Sequence, residues 1–167
     1  EGPSVESALL ESEDGLVWKT RALFQEVRGD ETAFRFLPDG SLLAIGRRGS
    51  DPAQILRSTP PYKTWDRRDL DRYIGGPLLT QWGDRWVVGG RHNTDGRGPK
   101  TSMCWLVGDQ LIEFAELPSG GDNSYPGFLE LGPRRAAMSW YSSHEKDSEG
   151  ETMTGIYMAD LTIVDRE

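Results

Sequence analysis

The chain has 167 residues, of which 36% are apolar, and a net charge of −8. This size and apolar content fit a single domain spanning 1–167 with one hydrophobic core. The 27 acidic residues, uncompensated by any run of Lys or Arg, argue against a protein that tracks the phosphates of a nucleic acid. A small anionic ligand needs only a few well-placed arginines and is not excluded. No run of about 18 apolar residues is present, so no membrane span is predicted.

Twenty glycines and ten prolines, without long helical periodicity, favour an all-β chain with many tight turns. The single cysteine, Cys104, lies in the apolar run MCWLV and is predicted to be a buried small hydrophobic residue. His92 and His144 cannot build a metal site without carboxylate ligands, so neither a metal nor a cofactor is predicted. The sequence starts at Glu1 without a signal peptide, which suggests processing or a longer parent protein.

Short apolar runs alternate with turn signals along the whole chain and predict thirteen strands. In chain order the predicted strands are 7–12, 17–24, 32–37, 41–48, 53–58, 64–70, 77–82, 85–91, 101–107, 111–117, 127–131, 136–143 and 153–163.

The strands recur with a period in the high forties. Trp18 and Trp65 are 47 residues apart, and Pro77 and Pro126 are 49 residues apart. About four strands per period are typical of a β-propeller blade, although short strands also suit a β-sandwich, which is the structural alternative. Thirteen strands make a little over three blades, whereas closed propellers have about four to eight. We therefore expect about half of a propeller, with its N-terminal blades outside this sequence.

Chemically versatile side chains fall at equivalent points of the predicted repeat. The first strand of a blade starts, and the second strand ends, at the same rim of a propeller. These positions hold Glu31, Arg47 or Arg48, Arg91, Tyr125 and the segment 141–145. Each has an ordinary structural interpretation, such as a solvated arginine or a tyrosine that caps the core. Their occurrence at equivalent positions favours a site around one mouth of the axis.

Two stretches are similar to the Asp-box pattern Ser-x-Asp-x-Gly-x-x-Trp. SEDGLVW (12–18) is one residue short of it, and STPPYKTW (58–65) has Pro-Pro in place of Asp-Gly. A glutamate and an arginine, Glu31 and Arg47, stand one hairpin apart in DETAFRFLPDGSLLAIGR (30–47). A tyrosine, Tyr125, follows Arg91 one blade later, in SYPGFLELGPRRAAMSWYSS (124–143). With these motifs the chain resembles the sialidase (neuraminidase) superfamily of six-bladed propellers, in particular bacterial sialidase-like proteins with Asp-box, or BNR, repeats.

The resemblance implies a glycoside hydrolase of the exo-α-sialidase type. Tyr125 would be the nucleophile and Glu31 its base, while Arg47 and Arg91 would be two of three arginines that bind the substrate carboxylate. Further substrate contacts that the resemblance implies are Asp122, Tyr141, His144 and Glu145. Sialidases use a tyrosine because a carboxylate nucleophile would be repelled by the carboxylate on the anomeric carbon of sialic acid.

The resemblance also implies what lies outside the chain. The first arginine and the acid/base aspartate of the family belong to early blades, so this chain alone is expected to be inactive. Closing the propeller would need those blades or a partner chain. The implied ligand is a sialoside-like glycan, without a cofactor, and the implied location is secreted or periplasmic.

Two alternatives stay open at this point. One is a hydrolase of another sugar, and the other is a non-catalytic propeller that binds a glycan or a protein. The second would use tryptophans as binding surfaces, although we expect core packing for each of them: Trp82, Trp86, Trp105 and Trp140. The stretch HEKDSEGE (144–151) is predicted to be a polar hairpin, because its carboxylates do not have the spacing of an EF-hand calcium loop.

Overall fold

A computed structural model of the chain describes residues 5–94 and 96–164. The described residues form thirteen strands in four antiparallel sheets, without a helix. Accordingly, none of the described residues belongs to a helix that could cross a lipid bilayer. The strands fall in two compact units, Glu1–Tyr73 and Ile74–Glu167.

The first unit contains a two-stranded and a four-stranded sheet. In both sheets, neighbours in sequence are neighbours in space. The strands are β1 Ser7–Glu11 and β2 Lys19–Gln25 in the first sheet, and β3 Thr32–Phe36, β4 Leu42–Arg48, β5 Asp51–Ser58 and β6 Asp66–Asp69 in the second. A hydrophobic cluster of Leu9, Phe24, Leu42, Ala44 and Leu56 joins the two sheets.

The second unit contains a four-stranded and a three-stranded sheet, again in sequence order. The strands are β7 Gly75–Trp82, β8 Arg85–Thr94, β9 Gly98–Val107 and β10 Gln110–Glu116, followed by β11 Asn123–Gly132, β12 Arg135–Lys146 and β13 Thr152–Thr162. A second cluster, rich in aromatic and methionine side chains, packs between these sheets. In it the Trp105 ring stacks on Phe114 with a centroid distance of 4.3 Å.

All thirteen predicted strands are present, with shifted ends. Cys104 is fully buried, as predicted, and Trp82, Trp105 and Trp140 are core residues, while Trp86 is half-buried. β11 begins at Asn123 rather than at 127, because a proline that looked like a boundary lies in a β-bulge, where a strand tolerates it.

The loop after β12 is the polar hairpin that the sequence predicts. β12 continues to Lys146, so the first residues of the stretch 144–151 are paired with β13. Beyond them, the Asp147 carboxylate accepts hydrogen bonds from the backbone N–H groups of Glu149 and Glu151, at 2.9 Å each. The turn is therefore closed by its own aspartate.

Two turns of the first unit share a tryptophan hydrogen bond. Between β1 and β2, Trp18 Nε1 donates to the carbonyl of Gly15 at 3.2 Å. Between β5 and β6, Trp65 Nε1 donates to the carbonyl of Tyr62 at 3.1 Å. Gly15 and Tyr62 both have positive φ, 76° and 64°. Tyr62 and Gly15 each stand three residues before the tryptophan, so Tyr62 takes the place of Gly15. The two turns thus share this hydrogen bond and a positive φ despite their different sequences.

Candidate functional site

Glu31 and Arg47 lie side by side in the first unit. The backbone N–H of Arg47 donates to the Glu31 carbonyl at 2.9 Å, and its Nη1 donates to the Glu31 carboxylate at 3.0 Å. Asp30 adds a second carboxylate 3.2 Å from Arg47 Nε, and the ring of Tyr73 lies 5.5 Å from the guanidinium carbon. The hairpin β3–β4 therefore unites two of the predicted site residues.

The charge of Arg47 is stabilised by these neighbours. Burial by itself lowers the pKa of the Arg47 guanidinium, but the hydrogen bond to Glu31 and the charges of Tyr73, Asp30 and Glu31 outweigh it, so the pKa is raised above its usual value. The side chain is 24% exposed. Arg47 is thus a fixed, permanently charged group with one face open to solvent.

Arg48 lies on the opposite face of β4, because successive side chains of a strand alternate. It binds Asp69 at 2.6 Å and Asp51 at 3.6 Å. There it lines an open cleft of about 610 Å³ together with Gln25, Arg28, Gln54 and Arg67. Of the two arginines between which the sequence did not decide, Arg47 is therefore the partner of Glu31.

Tyr125 lies in a β-bulge that has a counterpart one repeat earlier. In β7 the pairing shifts by one residue between Gly75 and Leu78, and in β11 it shifts between Ser124 and Gly127. The bulges contain Gly76-Pro77 and Tyr125-Pro126, with φ values of 54° at Gly76 and 47° at Tyr125. A left-handed backbone is common for glycine but strained for a tyrosine.

The bulge presents the Tyr125 ring to solvent. The residue is 59% exposed, and its ring stacks on Tyr141 of β12 with centroids 5.9 Å apart and planes 25° apart. On the inner side, a Cβ added to Gly76 would lie 3.1 Å from the Tyr125 ring and 2.5 Å from Ser124 Oγ. A larger residue at position 76 would therefore require Ser124 Oγ to move and the Tyr125 ring to give by a few tenths of an ångström.

A charged network surrounds this aromatic pair. Arg91 ends the predicted part of β8, and its Nη1 donates to the Asp122 carboxylate at 2.7 Å. The hydroxyl of Tyr141 donates to the same Asp122 oxygen at 2.8 Å. The Arg91 side chain is 22% exposed and that of Asp122 is 67% exposed. Arg91, Asp122, Tyr125 and Tyr141 thus form one group within the second unit, here termed the Tyr125 cluster.

Two buried polar residues that the sequence analysis did not select support the Tyr125 cluster. Ser124 Oγ accepts from the Arg91 backbone N–H at 3.1 Å and donates to the carbonyl of Gly75. Asn123 is fully buried and accepts from Thr101 Oγ1 at 2.7 Å through its amide oxygen. Both stand in the run GGDNSYPGF (120–128), whose residue types are typical of an exposed turn. Only the position of this run beside a core strand could have indicated that they are buried.

His144 and Glu145 lie further along β12. His144 Nδ1 is hydrogen-bonded to Ser142 Oγ at 2.8 Å, and its ring packs on Tyr157 with a centroid distance of 4.8 Å. Glu145 pairs with Met153 across the hairpin to β13. Their role as substrate contacts stays a prediction.

The predicted site residues thus form two groups. Glu31 and Arg47 belong to the first unit, whereas the Tyr125 cluster belongs to the second. Each group offers a cationic guanidinium next to a carboxylate, and the second adds an exposed phenol. Convergence of both groups on one ligand stays a prediction.

The known proteins to which the chain is similar are similar in structure. No family model matches the chain, and no curated protein matches it. A protein of unknown function from Dyadobacter fermentans DSM 18053 is similar with a TM-score of 0.68 at 19% identity, over 93% of this chain and 45% of the other. The endosialidase of phage phi92 is similar with a TM-score of 0.66 at 12% identity, over 97% of this chain and 32% of the other. The chain spans less than half the length of either protein, and the similarity shows a shared all-β fold.

Proposed function

We propose that the chain is part of a sialidase-type β-propeller in which each sheet contributes to one blade. Two features support this proposal: the meanders β3–β6 and β7–β10 each have four antiparallel strands, and the bulges at Pro77 and Pro126 recur after one period. The similarity to an endosialidase agrees with it. In this proposal the single domain 1–167 is completed by further blades, and the two Asp-box-like turns link the outer strands of their blades.

We further propose that the complete domain is a sialidase-like glycoside hydrolase, secreted or periplasmic, with Tyr125 as nucleophile. The observation that carries this proposal is the strained conformation of Tyr125. Left-handed backbone at a bulky residue costs about 1–3 kcal/mol and is concentrated at active sites and ligand clamps. Here the strain holds an exposed phenol against Tyr141, whose hydroxyl binds the same Asp122 oxygen as Arg91. The conformation recurs one repeat after a glycine that takes it without strain.

The residue chemistry fits a substrate that carries its own carboxylate. In this mechanism Arg47 and Arg91 hold the substrate carboxylate through charge-assisted hydrogen bonds, exchanging it for the carboxylates that they now bind. The Tyr125 hydroxyl, with a pKa of about 10 when unperturbed, needs a base, and Glu31 takes its proton as the Tyr125 oxygen bonds to the anomeric carbon. The leaving oxygen receives a proton from an acid outside this chain.

A second candidate function is glycan binding without catalysis. The observation that favours it is the stacking of the exposed Tyr125 ring on the half-buried Tyr141, with the Arg91–Asp122 ion pair beside it. Aromatic faces with a few polar groups at the edge are typical of ligand sites in general. In this case the tyrosine hydroxyl would not be essential.

One substitution separates the two functions. The longest natural polypeptide that carries this chain is assayed on fluorogenic α-sialosides and neutral glycosides. Tyr125→Phe is expected to lower kcat by about 10³-fold or more while glycan binding stays nearly unchanged, because only the nucleophilic oxygen is lost. Tyr62→Phe, which removes a hydroxyl bound to the Gly40 carbonyl, serves as the matched control and keeps turnover.

The other outcomes are equally informative. Full turnover by Tyr125→Phe would contradict the nucleophile. A wild-type protein without turnover on any glycoside, whose glycan binding is lost only in Tyr125→Ala, would favour the binding function.

A further inference from the structure

His92 has a buried ring nitrogen without a hydrogen bond. It lies in β8, one residue after Arg91, and its side chain is 13% exposed. Nε2 is inaccessible to solvent and has no hydrogen-bond partner among the described residues. A buried polar atom without a partner is costly in a native fold and calls for a specific explanation.

Two glutamates of β10 face this nitrogen. Glu113 Oε2 lies 3.5 Å and Glu116 Oε2 lies 3.9 Å from His92 Nε2. A register shift between Glu113 and Ala115 lets two residues three apart in a strand share one face. The three ligand atoms all lie within 4.8 Å of one another.

The spacing suits a shared cation better than direct hydrogen bonds. Both distances exceed the roughly 2.7–3.2 Å of an N–H···O hydrogen bond. Ligand atoms that surround a zinc ion at about 2.0–2.2 Å in tetrahedral geometry are about 3.4 Å apart. The distances from His92 Nε2 to the two carboxylates are therefore close to those of a coordination shell. Rotation of the partly exposed Glu113 side chain would bring its oxygen closer, while Arg97 holds Glu116.

A second buried polar atom lies on the same face. Ser102 of β9 pairs with Gly90 of β8 on one side and with Glu116 of β10 on the other, which places it on the face that carries His92. Ser102 is 1% exposed, and its Oγ also has no hydrogen-bond partner among the described residues. Two such atoms on one face, beside two carboxylates, indicate that a further group binds here.

Arg97 orients one of the carboxylates. Its guanidinium donates to both oxygens of Glu116, at 2.9 and 3.0 Å, in a bidentate pair. Ligating carboxylates in metal sites are usually hydrogen-bonded by a further group in this way.

We propose that His92, Glu113 and Glu116 bind a divalent transition-metal ion, for which Zn²⁺ is the probe. One imidazole and two carboxylates suit Zn²⁺ or Mn²⁺ better than Ca²⁺, which prefers oxygen ligands alone. Three protein ligands leave at least one coordination position for water. The ion would link β8 to β10 across β9. Glu113 and Glu116 supply the carboxylate ligands without which the histidines could not build a metal site.

Calorimetric titration of the full chain with ZnCl₂ tests the site. One Zn²⁺ per chain is expected, together with a rise in Tm, because the ion binds only the folded arrangement of the three ligands. His92→Gln and Glu113→Gln are each expected to weaken binding by about 100-fold or more. His144→Gln removes the other histidine of the chain and is the matched control that keeps the affinity.

A measurement on the unaltered protein covers the case in which a variant fails to fold. Zn²⁺ is expected to shift the imidazole NMR signals of His92 and not those of His144, with His144→Gln providing the assignment. Absence of stoichiometric Zn²⁺ binding, equal affinity in a folded His92→Gln variant, or unshifted His92 signals would each overturn the site. Mn²⁺ and Ca²⁺ titrations compare the metals, and binding of Ca²⁺ alone would also contradict it.

Discussion

A tyrosine occupies a backbone conformation that the preceding repeat gives to a glycine. Gly76 and Tyr125 stand at the same step of their bulges, each followed by proline, yet only the glycine is unstrained there. The two residues are also close, since a Cβ on Gly76 would lie only 3.1 Å from the Tyr125 ring. The tyrosine is thus held by its neighbours in a conformation that its own backbone disfavours.

This contact makes Gly76→Ala a sharp test of the packing below the tyrosine. The new Cβ would meet Ser124 Oγ at 2.5 Å in addition to the strain of a φ of 54°. Gly83→Ala is the matched control, because Gly83 has a φ of 61° and nothing within 4 Å of an added Cβ. We expect a loss of about 1 kcal/mol in Gly83→Ala from strain alone and about 1–3 kcal/mol more in Gly76→Ala.

Urea unfolding of both variants gives these values. Equal destabilisation of the two variants would show that Gly76 is not needed for the approach of Tyr125.

For single residues, the sequence predicted which side chains a hairpin brings together better than it predicted local backbone conformation. The closeness of Glu31 to an arginine at the end of β4 followed from the length of one hairpin, because antiparallel pairing brings a strand start and a strand end together. The bulge at Tyr125 did not follow, since Pro126 looked like a strand boundary. Ser124 and Asn123 were missed for the same reason: whether a polar residue is buried depends on pairing that no local pattern encodes.

Among the elements, the two tryptophan-linked turns of the first unit show one geometry reached by different residues. In the turn 12–18, Asp14 Oδ1 accepts from the backbone N–H groups of Leu16 and Val17 at 2.8 and 2.9 Å. In the turn 58–65, Ser58 Oγ instead donates to the carbonyl of Thr64 at 2.7 Å. The shared feature is the tryptophan hydrogen bond to a residue of positive φ, so the aspartate is one of several ways to close this turn.

Asp14 gives the first of these turns a pH dependence. The N–H groups of Val17 and Leu16, and then the Ser12 hydroxyl, hold the pKa of its carboxyl below the usual value. A pKa lowered by folding means that the carboxylate stabilises the fold above its unfolded-state pKa, and that this stabilisation is lost as the pH falls through the lower folded-state pKa. We expect the stability advantage of wild type over Asp14→Asn to shrink from neutral pH to below about pH 4.

Unfolding midpoints in urea across this pH range measure the effect. Glu13→Gln removes the same charge from the neighbouring residue and controls for general electrostatics. An advantage over Asp14→Asn that does not change with pH would contradict the role of the Asp14 carboxylate.

For the whole molecule, the pattern of apolar runs predicted all thirteen strands. It succeeded because each strand pairs with its neighbour in sequence, and tight turns rich in Gly and Pro separate them. Strand ends were less predictable, since β12 extends through polar residues to Lys146 by pairing with β13. The choice between a propeller and a sandwich depends on how sheets associate, which local patterns do not determine.

The propeller proposal has its own test at this scale. A crystal structure of the longest natural polypeptide is expected to show six sheets arranged around one axis, with Glu31, Arg47, Arg91 and Tyr125 at the same mouth. Two sheets packed face to face, as in a sandwich, would contradict the blades. A Tyr125 hydroxyl more than about 6 Å from Glu31 would weigh against the base, with allowance for the looser geometry of a ligand-free site.

The bulge in β11 divides that strand into two stretches with different tasks. Its extra residue shifts the alternation of side chains along the strand, so the side chains of residues 123–125 are out of phase with those that follow the bulge. After the bulge, Phe128 packs on Trp82 at a centroid distance of 5.5 Å. Substitution at Tyr125 is therefore expected to alter the exposed surface of the strand while the packing of Phe128 on Trp82 is kept. Under the proposed function, specificity can change at Tyr125 by single substitutions, because ligand binding and core packing depend on different residues of the same β-strand.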